Sequence, residues 1–326
     1  MDLDVVFLGT SGATPTAQRA PAATLVRRGG DRFLVDCAEG TQRQLLRSDV
    51  GLLELREVFL THFHADHYLG LPGMLKTYSL RGRELPLTIY GPRGLRDLLS
   101  TLRRVFGKLG YELETVELQP GQILARDGYR LETFAVNHGV PAVGYALVEE
   151  QRPGRFDVAR ADALGVPDGP DRGRLQQGAP VSLADGTVVT PEQVLGPPRP
   201  GRKLVLTGDT AAAASVVEAS LGAHVLVHEA TFLADERGRA RETLHSTAGE
   251  AALVAREAGV ELLALTHLST RYFGHEVVDE ARELFPNTVV PRDFDVVDIP
   301  FPERGPPELR RSGARASRAA IVSEEK

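Results

Sequence analysis

The segment THFHADH, residues 61–67, places three histidines and one aspartate directly after the apolar run EVFL. Ionisable side chains this dense lose hydration wherever they are partly buried, so they need a cation, a substrate or water as a partner. Imidazole and carboxylate are the ligands that zinc accepts when thiolate is absent, and they also suit manganese and iron. The segment therefore predicts a metal site, on a fold that can hold such a loop at the end of a buried strand.

The cysteine content limits which metal sites are possible. Cys37 is the only cysteine in 326 residues, which excludes an intrachain disulfide and a thiolate cage for zinc or iron–sulfur. We expect Cys37 to be a small buried apolar residue at the end of the segment FLVD. Any metal must be held by nitrogen and oxygen.

Length and composition indicate a soluble globular protein, with an apolar fraction of 42% that supports a sizeable core. The N-terminal MDLDVVFLGT has acidic residues where a signal peptide has basic ones, and its apolar run is too short for a membrane span. We therefore expect a cytoplasmic location and no membrane partner. The formal charge of −6 argues against general affinity for nucleic acid, although a local positive patch still acts over a Debye length.

Short apolar runs recur between Gly, Pro and Asp residues: VVFL, RFLVD, EVFLTH, LTIYG, KLVLTGD, HVLVHE and ELLALTH. Their length and their Val, Ile and Leu content favour buried strands. Helical stretches such as GLRDLLSTLRRVF and STAGEAALVAREAG lie between them. In the second stretch Thr247 precedes Glu250 at the capping-box spacing, which predicts a helix start just after His245. Strands alternating with helices predict a layered α/β fold.

Several of these strands lead directly into ionisable residues, as EVFL leads to His62, KLVL to Asp209 and ELLAL to His267. Since ligands of open sheets bind where strands stop and loops begin, we expect these ends to converge on one edge. The candidates exceed what one tetrahedral ion needs, so we predict two ions bridged by Asp209, an arrangement that polarises a phosphoryl or carbonyl group. The full candidate set is His62, His64, Asp66, His67, His138, Asp209 and His267.

The order HxHxDH, an isolated His, an Asp and a final His resembles the metallo-β-lactamase superfamily. The resemblance implies a four-layer αββα sandwich, here over residues 1–300, with a protruding arm inserted at about 149–200. It also implies that one zinc is held by His62, His64 and His138, and the other by Asp66, His67 and His267.

More local motifs are similar to those of the ribonuclease Z family of tRNA 3′-processing endonucleases: LGTSGATPT, DCAEGTQRQLL, THFHADHYLGLPGML, HEATF, HST and THLSTRY. The resemblance implies a zinc-dependent endoribonuclease that removes the 3′ trailer from tRNA precursors. Hydroxide would attack the phosphodiester beside the discriminator nucleotide, leaving a 3′-hydroxyl on the tRNA and a 5′-phosphate on the trailer. Two zinc ions per subunit are implied, as is a homodimer in which the arm of one subunit serves the active site of the other.

Three residues are candidates for catalysis. Asp66 is expected to orient the hydroxide and take its proton, and His245 to protonate the leaving 3′-oxygen, since imidazole titrates near neutral pH. Glu229 of HEATF is expected to fix the His245 tautomer and favour its protonated form, the alternative being a structural hydrogen-bond acceptor at a strand end. Arg271 is a candidate for contact with substrate phosphate, with a packing role behind His267 as the alternative.

Residues 149–200 are rich in Gly, Pro, Arg and Asp and show no long apolar face, which predicts an inserted excursion with little core of its own. Within it, LGVPDGPDRGRL resembles the Gly-Pro motif of the family's arm, which grips the tRNA elbow; without the resemblance, a solvated loop is the simpler interpretation. Residues 301–326 are rich in Pro, Arg and Ser and predict a disordered tail. Candidate substrate-binding residues in the arm, acting through arginines and backbone N–H groups, are Arg152, Arg155, Gly165, Pro167, Gly169, Pro170, Gly173 and Arg174.

One loop departs from the family pattern. Ala17 and Ala20 stand where the family often has Lys and Asn in Pro-x-Lys-x-Arg-Asn, which leaves open how the enzyme treats an encoded CCA end. Two other functions compete with the nuclease. A general metallo-phosphodiesterase acting on cyclic nucleotides or other small phosphodiesters needs the same metals but no arm, and a non-catalytic RNA-binding module needs neither Asp66 nor His245.

Overall fold

The computed structural model describes residues 2–48, 50–52 and 55–312. Its strands are β1 (Leu3–Gly9), β2 (Ala23–Arg28), β3 (Asp31–Val35), β4 (Glu57–Phe59), β5 (Leu87–Pro92), β6 (Leu113–Leu118), β7 (Ile123–Arg126), β8 (Tyr129–Ala135), β9 (Val143–Glu149), β10 (Val181–Ser182), β11 (Val188–Val189), β12 (Lys203–Leu206), β13 (Val225–Glu229), β14 (Leu262–Thr266), β15 (Thr288–Val289), β16 (Val296–Asp298) and β17 (Glu308–Arg310). Its helices are α1 (Thr41–Arg47), α2 (Ala65–Tyr68), α3 (Leu71–Leu80), α4 (Leu95–Phe106), α5 (Val158–Ala163), α6 (Pro170–Gln176), α7 (Pro191–Val194), α8 (Ala214–Ser220), α9 (Arg237–Thr243), α10 (Ala248–Ala258) and α11 (Gly274–Leu284).

The apolar runs identified in the sequence form strands, and the two helical stretches form α4 and α10. β1 is buried along its whole length, as expected for a strand covered on both faces. α10 begins where the capping-box spacing predicted, because the Glu250 N–H donates to the Thr247 hydroxyl and the Thr247 N–H to the Glu250 carboxylate.

Two large sheets form the centre of the fold. The eight-stranded sheet has the order β17-β16-β1-β2-β3-β4-β5-β6, and the seven-stranded sheet has the order β15-β14-β13-β12-β9-β8-β7. They meet where the ring of Tyr145 on β9 packs edge-on against Phe59 on β4, at 5.3 Å between centroids. Helices α1 and α4 pack on the first sheet and α10 and α11 on the second, which confirms the predicted αββα sandwich.

Strand direction explains why the polar strand ends come together. β3, β4 and β5 run parallel in the first sheet, and β12, β13 and β14 run parallel in the second. The carboxyl ends of neighbouring parallel strands lie at one edge of a sheet, so the loops that follow them are neighbours.

The described chain divides into two compact units, of which the second comprises Arg126–Arg130 and Val148–Arg202. This unit has an apolar core, so the prediction of little core in the inserted segment is wrong. Its apolar residues stand singly among Gly, Pro and charged residues, which hides them from a search for an apolar face. The buried core residues are Ala161, Val166, Leu175, Val181, Val189 and Val194.

The end of the described chain also differs from expectation. β17 pairs antiparallel with β16, and Arg310 forms an ion pair with Asp298. The prediction of a disordered tail from residue 301 is therefore wrong for this strand, while residues 313–326 lie outside the described part of the chain. Among the described residues, no helix is long and apolar enough to cross a membrane.

Candidate metal centre

The predicted ligands come from five places in the first unit that converge on one edge. His62 and His64 follow β4, Asp66 and His67 lie on α2, and the others follow β8, β12 and β14. One ligand atom from each of His62, His64, His138 and Asp209 lies within 4.8 Å of the rest, and Asp66, His67 and His267 form a second such group. The structure thus brings together all seven residues that the sequence nominated as ligands.

Asp209 lies between the two groups. Its Oδ2 atom is 3.8 Å from Nε2 of His62, 3.4 Å from Nε2 of His67 and 3.3 Å from Nε2 of His267. The turn that aims it requires glycine at position 208, where φ is +64° and a Cβ would lie 2.7–2.9 Å from the side chain of Thr61. This position suits a carboxylate that bridges two cations.

Unpartnered polar atoms show that the cluster fits metal ions. His62 Nε2, His67 Nε2 and Asp209 Oδ1 are buried and have no hydrogen-bond partner within the described chain. Leaving such an atom unsatisfied costs about 1–3 kcal/mol, more where it is charged. Divalent cations would satisfy these lone pairs, and the nitrogen and oxygen donors match the ligand preference of zinc, manganese or iron.

The outward-facing nitrogen of several rings is held by a hydrogen bond. Nδ1–H of His67 donates to Asp36 Oδ2 at 2.8 Å, Nδ1–H of His267 to the Thr231 hydroxyl at 2.9 Å, and Nδ1–H of His138 to the carbonyl of Leu244 at 3.1 Å. Each bond selects the tautomer whose Nε2 lone pair faces the cluster.

These supporting residues were missed in the sequence. Asp36 and Thr231 lie in motifs that carry the family resemblance, DCAEG and HEATF, yet neither received a role. Asp36 directly follows β3 and Thr231 follows β13 by two residues. This nearness to a strand end is the signal that would have found them, because the same signal identified Asp209 and His267.

Backbone strain is concentrated around the site. Asp36, Leu244 and His267 have φ angles of +60°, +56° and +57°, in a region that costs about 1–3 kcal/mol for residues other than glycine. Gly12 allows the loop after β1 to press on His267, since a Cβ there would lie 2.7–2.9 Å from the carbonyl and ring of that histidine.

Charge and burial set the protonation of the cluster. Burial lowers the pKa of His62 to about 2, and burial together with His138 lowers the pKa of His64. Burial opposes the charged form of Asp209, but His267 and His67 outweigh it and hold the pKa of Asp209 well below its usual range. Burial opposes the charged form of His67, but Asp209 and Asp36 outweigh it and hold the pKa of His67 well above its usual range. A metal ion must therefore displace a proton from this ring, because imidazole binds metal in its neutral form.

His245 and Glu229 form a pair at the margin of this cluster. Nδ1 of His245 lies 2.7 Å from Oε1 of Glu229, which is 1% exposed. Burial would lower the pKa of His245, but Glu229 outweighs it and raises that pKa to about 9. The His245 ring lies 5.0 Å from that of His138 and 5.5 Å from that of His267. A protonated imidazole beside the cluster can act as a general acid.

The candidate residues of the arm lie in the second unit. Gly165 and Gly169 have φ angles of +77° and +138°, and Pro170 opens α6. Arg155 and Arg174 are exposed, whereas Arg152 donates to the carbonyl of Pro200 at 3.3 Å. Pro167 lies in the segment just before α6, and Gly173 lies within α6.

Arg271 already has partners in the first unit. Its guanidinium lies 5.9 Å from the centre of the Phe232 ring, and its Nη1–H donates to the Ser269 hydroxyl at 3.3 Å. Arg271 thus packs on Phe232, while a packing role behind His267 and contact with substrate both stay predictions.

A two-sheet sandwich with His and Asp ligands at the strand ends defines a metallo-β-lactamase fold, and residues 31–268 match the family model for the Beta-lactamase superfamily domain. The chain is 50% identical to Ribonuclease Z of Halobacterium salinarum over 307 aligned residues, and the alignment covers 93% of this chain and 99% of that relative. It is 44% identical over 302 residues to Ribonuclease Z of Methanosarcina acetivorans, covering 92% and 99%.

Among solved structures, human tRNase Z, short form, is similar with a TM-score of 0.67 and 27% identity, covering 91% of this chain and 99% of that one. These similarities extend over nearly the whole of each relative. The chain belongs to the ribonuclease Z family.

Proposed function

We propose that this chain is an endoribonuclease that removes the 3′ trailer from tRNA precursors, cutting beside the discriminator nucleotide. The observation that carries the proposal is the two-group His/Asp cluster with the Glu229–His245 pair at its margin. Membership of the ribonuclease Z family supports the same activity. The proposal includes two zinc ions, with manganese or iron as substitutes, and a cytoplasmic location.

The seven clustered residues would hold the ions, one on His62, His64 and His138, the other on Asp66, His67 and His267, with Asp209 shared. When bound, the cations supply Lewis acidity that polarises the phosphoryl oxygens and lowers the pKa of water near the phosphorus. All other steps fall to side chains of the chain itself.

The role proposed for Asp66 is to orient the attacking water and accept its proton. Its Oδ2 accepts a hydrogen bond from the N–H of Ala13 at 2.9 Å and lies 3.3 Å from Nε2 of His267. Burial would raise the pKa of Asp66, but His267 and His67 outweigh burial and hold that pKa below its usual range. The carboxylate is therefore ionised and can act as a base.

The role proposed for His245 is to protonate the leaving group. Its Nδ1–H is engaged by Glu229, so the proton on Nε2 is the one available to the 3′-oxygen of the discriminator. The P–O3′ bond breaks as the bond from phosphorus to the water oxygen forms, and the proton neutralises the departing alkoxide. The products are a tRNA with a 3′-hydroxyl and a trailer with a 5′-phosphate.

Removing the arm separates this function from a general phosphodiesterase. The two ends of the segment 151–200 lie side by side in the second unit, because a Cβ on Gly201 would lie 2.5 Å from the carbonyls of Glu149 and Glu150. Two glycines can therefore replace residues 151–200 while the buried ion pair of Arg202 with Glu149, at 2.8 Å, is kept. We expect this variant to lose cleavage of a tRNA precursor and to retain hydrolysis of bis(p-nitrophenyl) phosphate.

The wild-type chain serves as the control. An Arg155→Ala, Arg174→Ala double variant keeps the arm, and it should be impaired on the tRNA precursor but not on bis(p-nitrophenyl) phosphate. A wild-type chain that hydrolyses the small ester but leaves the precursor whole would refute the nuclease and favour the phosphodiesterase. Equal cleavage of the precursor with and without the arm would refute the role of the arm.

We further propose a homodimer in which each arm serves the partner's active site. Asp66→Ala subunits retain the arm, whereas arm-replaced subunits retain the catalytic residues. Mixing the two inactive proteins should restore precursor cleavage through mixed dimers. Mixtures that stay inactive although sedimentation shows mixed dimers would contradict the exchange of arms.

A further inference from the structure

A second feature of the first unit is a basic cavity of about 380 Å³ beside the first turn of α11, formed by residues other than the predicted metal ligands. Its volume lies within the range of about 300–1,000 Å³ typical of ligand pockets. The chain as a whole is negative, so a local group of cations is notable. The side chains that matter are Arg19, Arg282, Arg292, Arg311, Phe273 and His275.

Three of the four guanidinium groups are held in place by hydrogen bonds to backbone carbonyls. Arg19 donates to the carbonyl of Pro291 at 2.8 Å, Arg282 to that of Thr288 at 3.0 Å and Arg311 to that of Val290 at 3.1 Å. Two carboxylates lie close: Asp293 faces Arg19, and Asp295 pairs with Arg311. The arginines outnumber them, and a fixed cationic cavity is suited to phosphate.

An exposed aromatic ring stands at the same cavity. Phe273 is 72% exposed, and its ring stacks on that of His275 at 5.8 Å between centroids and 18° between planes. A flat apolar ring left in water beside arginines is the combination by which proteins bind single-stranded nucleic acid, because a base stacks on the ring while the backbone meets the cations.

The cavity is connected to the metal cluster by two short loops. Arg19 donates to the Thr10 hydroxyl at 2.6 Å, and the next residues, Ser11 and Gly12, pair with Leu268 and press on His267. Along the chain, Phe273 follows His267 by six residues, which places it within about 20 Å even if the loop were fully extended. An RNA strand bound at the cluster can therefore reach the cavity.

We propose that this cavity binds a nucleotide of the RNA trailer, with its phosphate on the arginines and its base on Phe273. This inference rests on the proposed function. A base-paired acceptor stem cannot splay a base into a cavity of this size, whereas a single strand can. The leaving 3′-oxygen belongs to the tRNA and is placed toward His245, so the mature end is held there and the trailer is the strand that continues past the phosphorus.

The test compares precursors that differ only in trailer length, one nucleotide against six. Phe273→Ala and Arg292→Ala should each lower kcat/KM on the long trailer roughly tenfold and leave the short trailer unchanged. Phe273→Trp keeps the stacking surface and should behave as wild type. Arg256→Ala, on the exposed face of α10, is the matched control for loss of one surface cation. In a titration with a 5′-phosphorylated hexanucleotide in chelator, Arg292→Ala should lower the salt slope by about 0.7.

Losses of equal size on both trailers would assign the cavity to the mature end or to folding and overturn the proposal, as would no loss on either. If wild type leaves both precursors whole, the proposed function fails instead. The hexanucleotide titration needs no turnover, so it tests the cavity even if neither precursor is cut. A wild-type chain that binds the hexanucleotide no better than Phe273→Ala would overturn the proposed nucleotide site.

Discussion

Replacing Glu229 with glutamine removes the negative charge beside His245 while keeping the size of the side chain. The carboxylate is buried and lies 2.7 Å from Nδ1 of His245, and its charge outweighs burial to raise the pKa of that histidine to about 9. Without the charge, we expect the pKa of His245 to fall toward the ordinary value of about 6.5. The acid that protonates the leaving oxygen would then be largely lost at alkaline pH.

The size of the effect follows from the two pKa values. At pH 8 a group of pKa 9 is about 90% protonated and one of pKa 6.5 about 3%, so cleavage should fall about 30-fold. At pH 6 both forms are mostly protonated, and the two rates should agree within about twofold. Burial, which lowers this pKa, and Asp209 and Asp66, which raise it, are all retained, so the fall of about 30-fold is an order of magnitude.

Single-turnover cleavage of an end-labelled precursor between pH 5.5 and 9.5 measures this shift directly. Glu218→Gln, which neutralises an exposed carboxylate on α8, is the matched control and should leave the profile unchanged. A Glu229→Gln profile that is lowered equally at every pH, or that keeps its alkaline limb, would refute the assignment of His245 as the acid tuned by Glu229.

Further predictions concern the metals and stability. Asp209→Ala should bind fewer than two ions by elemental analysis, because it removes the carboxylate whose Oδ2 lies within 3.8 Å of Nε2 of His62, His67 and His267. Asp36→Asn should weaken metal affinity about 10- to 100-fold, as expected for a partner that orients a ligand ring, while an unchanged affinity would mean that His67 needs no orientation. Zinc should raise the Tm of chelated protein in proportion to the logarithm of its concentration, since it binds the folded state. The His245–Glu229 pair should contribute about 3 kcal/mol of stability below pH 6.5, lost as pH rises through about 9, and denaturant unfolding of Glu229→Gln should lack this dependence.

The clustering of the candidate ligands is predictable because the ends of buried strands can be recognised in the sequence. An apolar run followed at once by His or Asp marks where a buried strand meets solvent, and His62, Asp209 and His267 were found this way. Parallel pairing of β12 with β13 and of β13 with β14 then brings such ends to one edge.

The rest depended on contacts that no local pattern records. Asp36 accepts a hydrogen bond from Nδ1–H of His67, and the Thr231 hydroxyl accepts one from Nδ1–H of His267. These contacts form only when segments that are distant in the sequence pack together. The core of the second unit is built from single apolar residues such as Val166 and Leu175, each flanked by polar ones. β17 forms because the edge of β16 offers unpaired backbone N–H and C=O groups, and residue composition does not reveal such an edge.

The most direct test is to titrate chelated protein with zinc and follow both bound metal and cleavage of an end-labelled tRNA precursor, mapping the cut to the nucleotide. We predict a cut beside the discriminator whose rate reaches its plateau at two ions per chain, and no cut with Asp66→Ala. A precursor left whole with two ions bound, or a cut that persists in chelator, would contradict a metal-dependent tRNA 3′-processing nuclease.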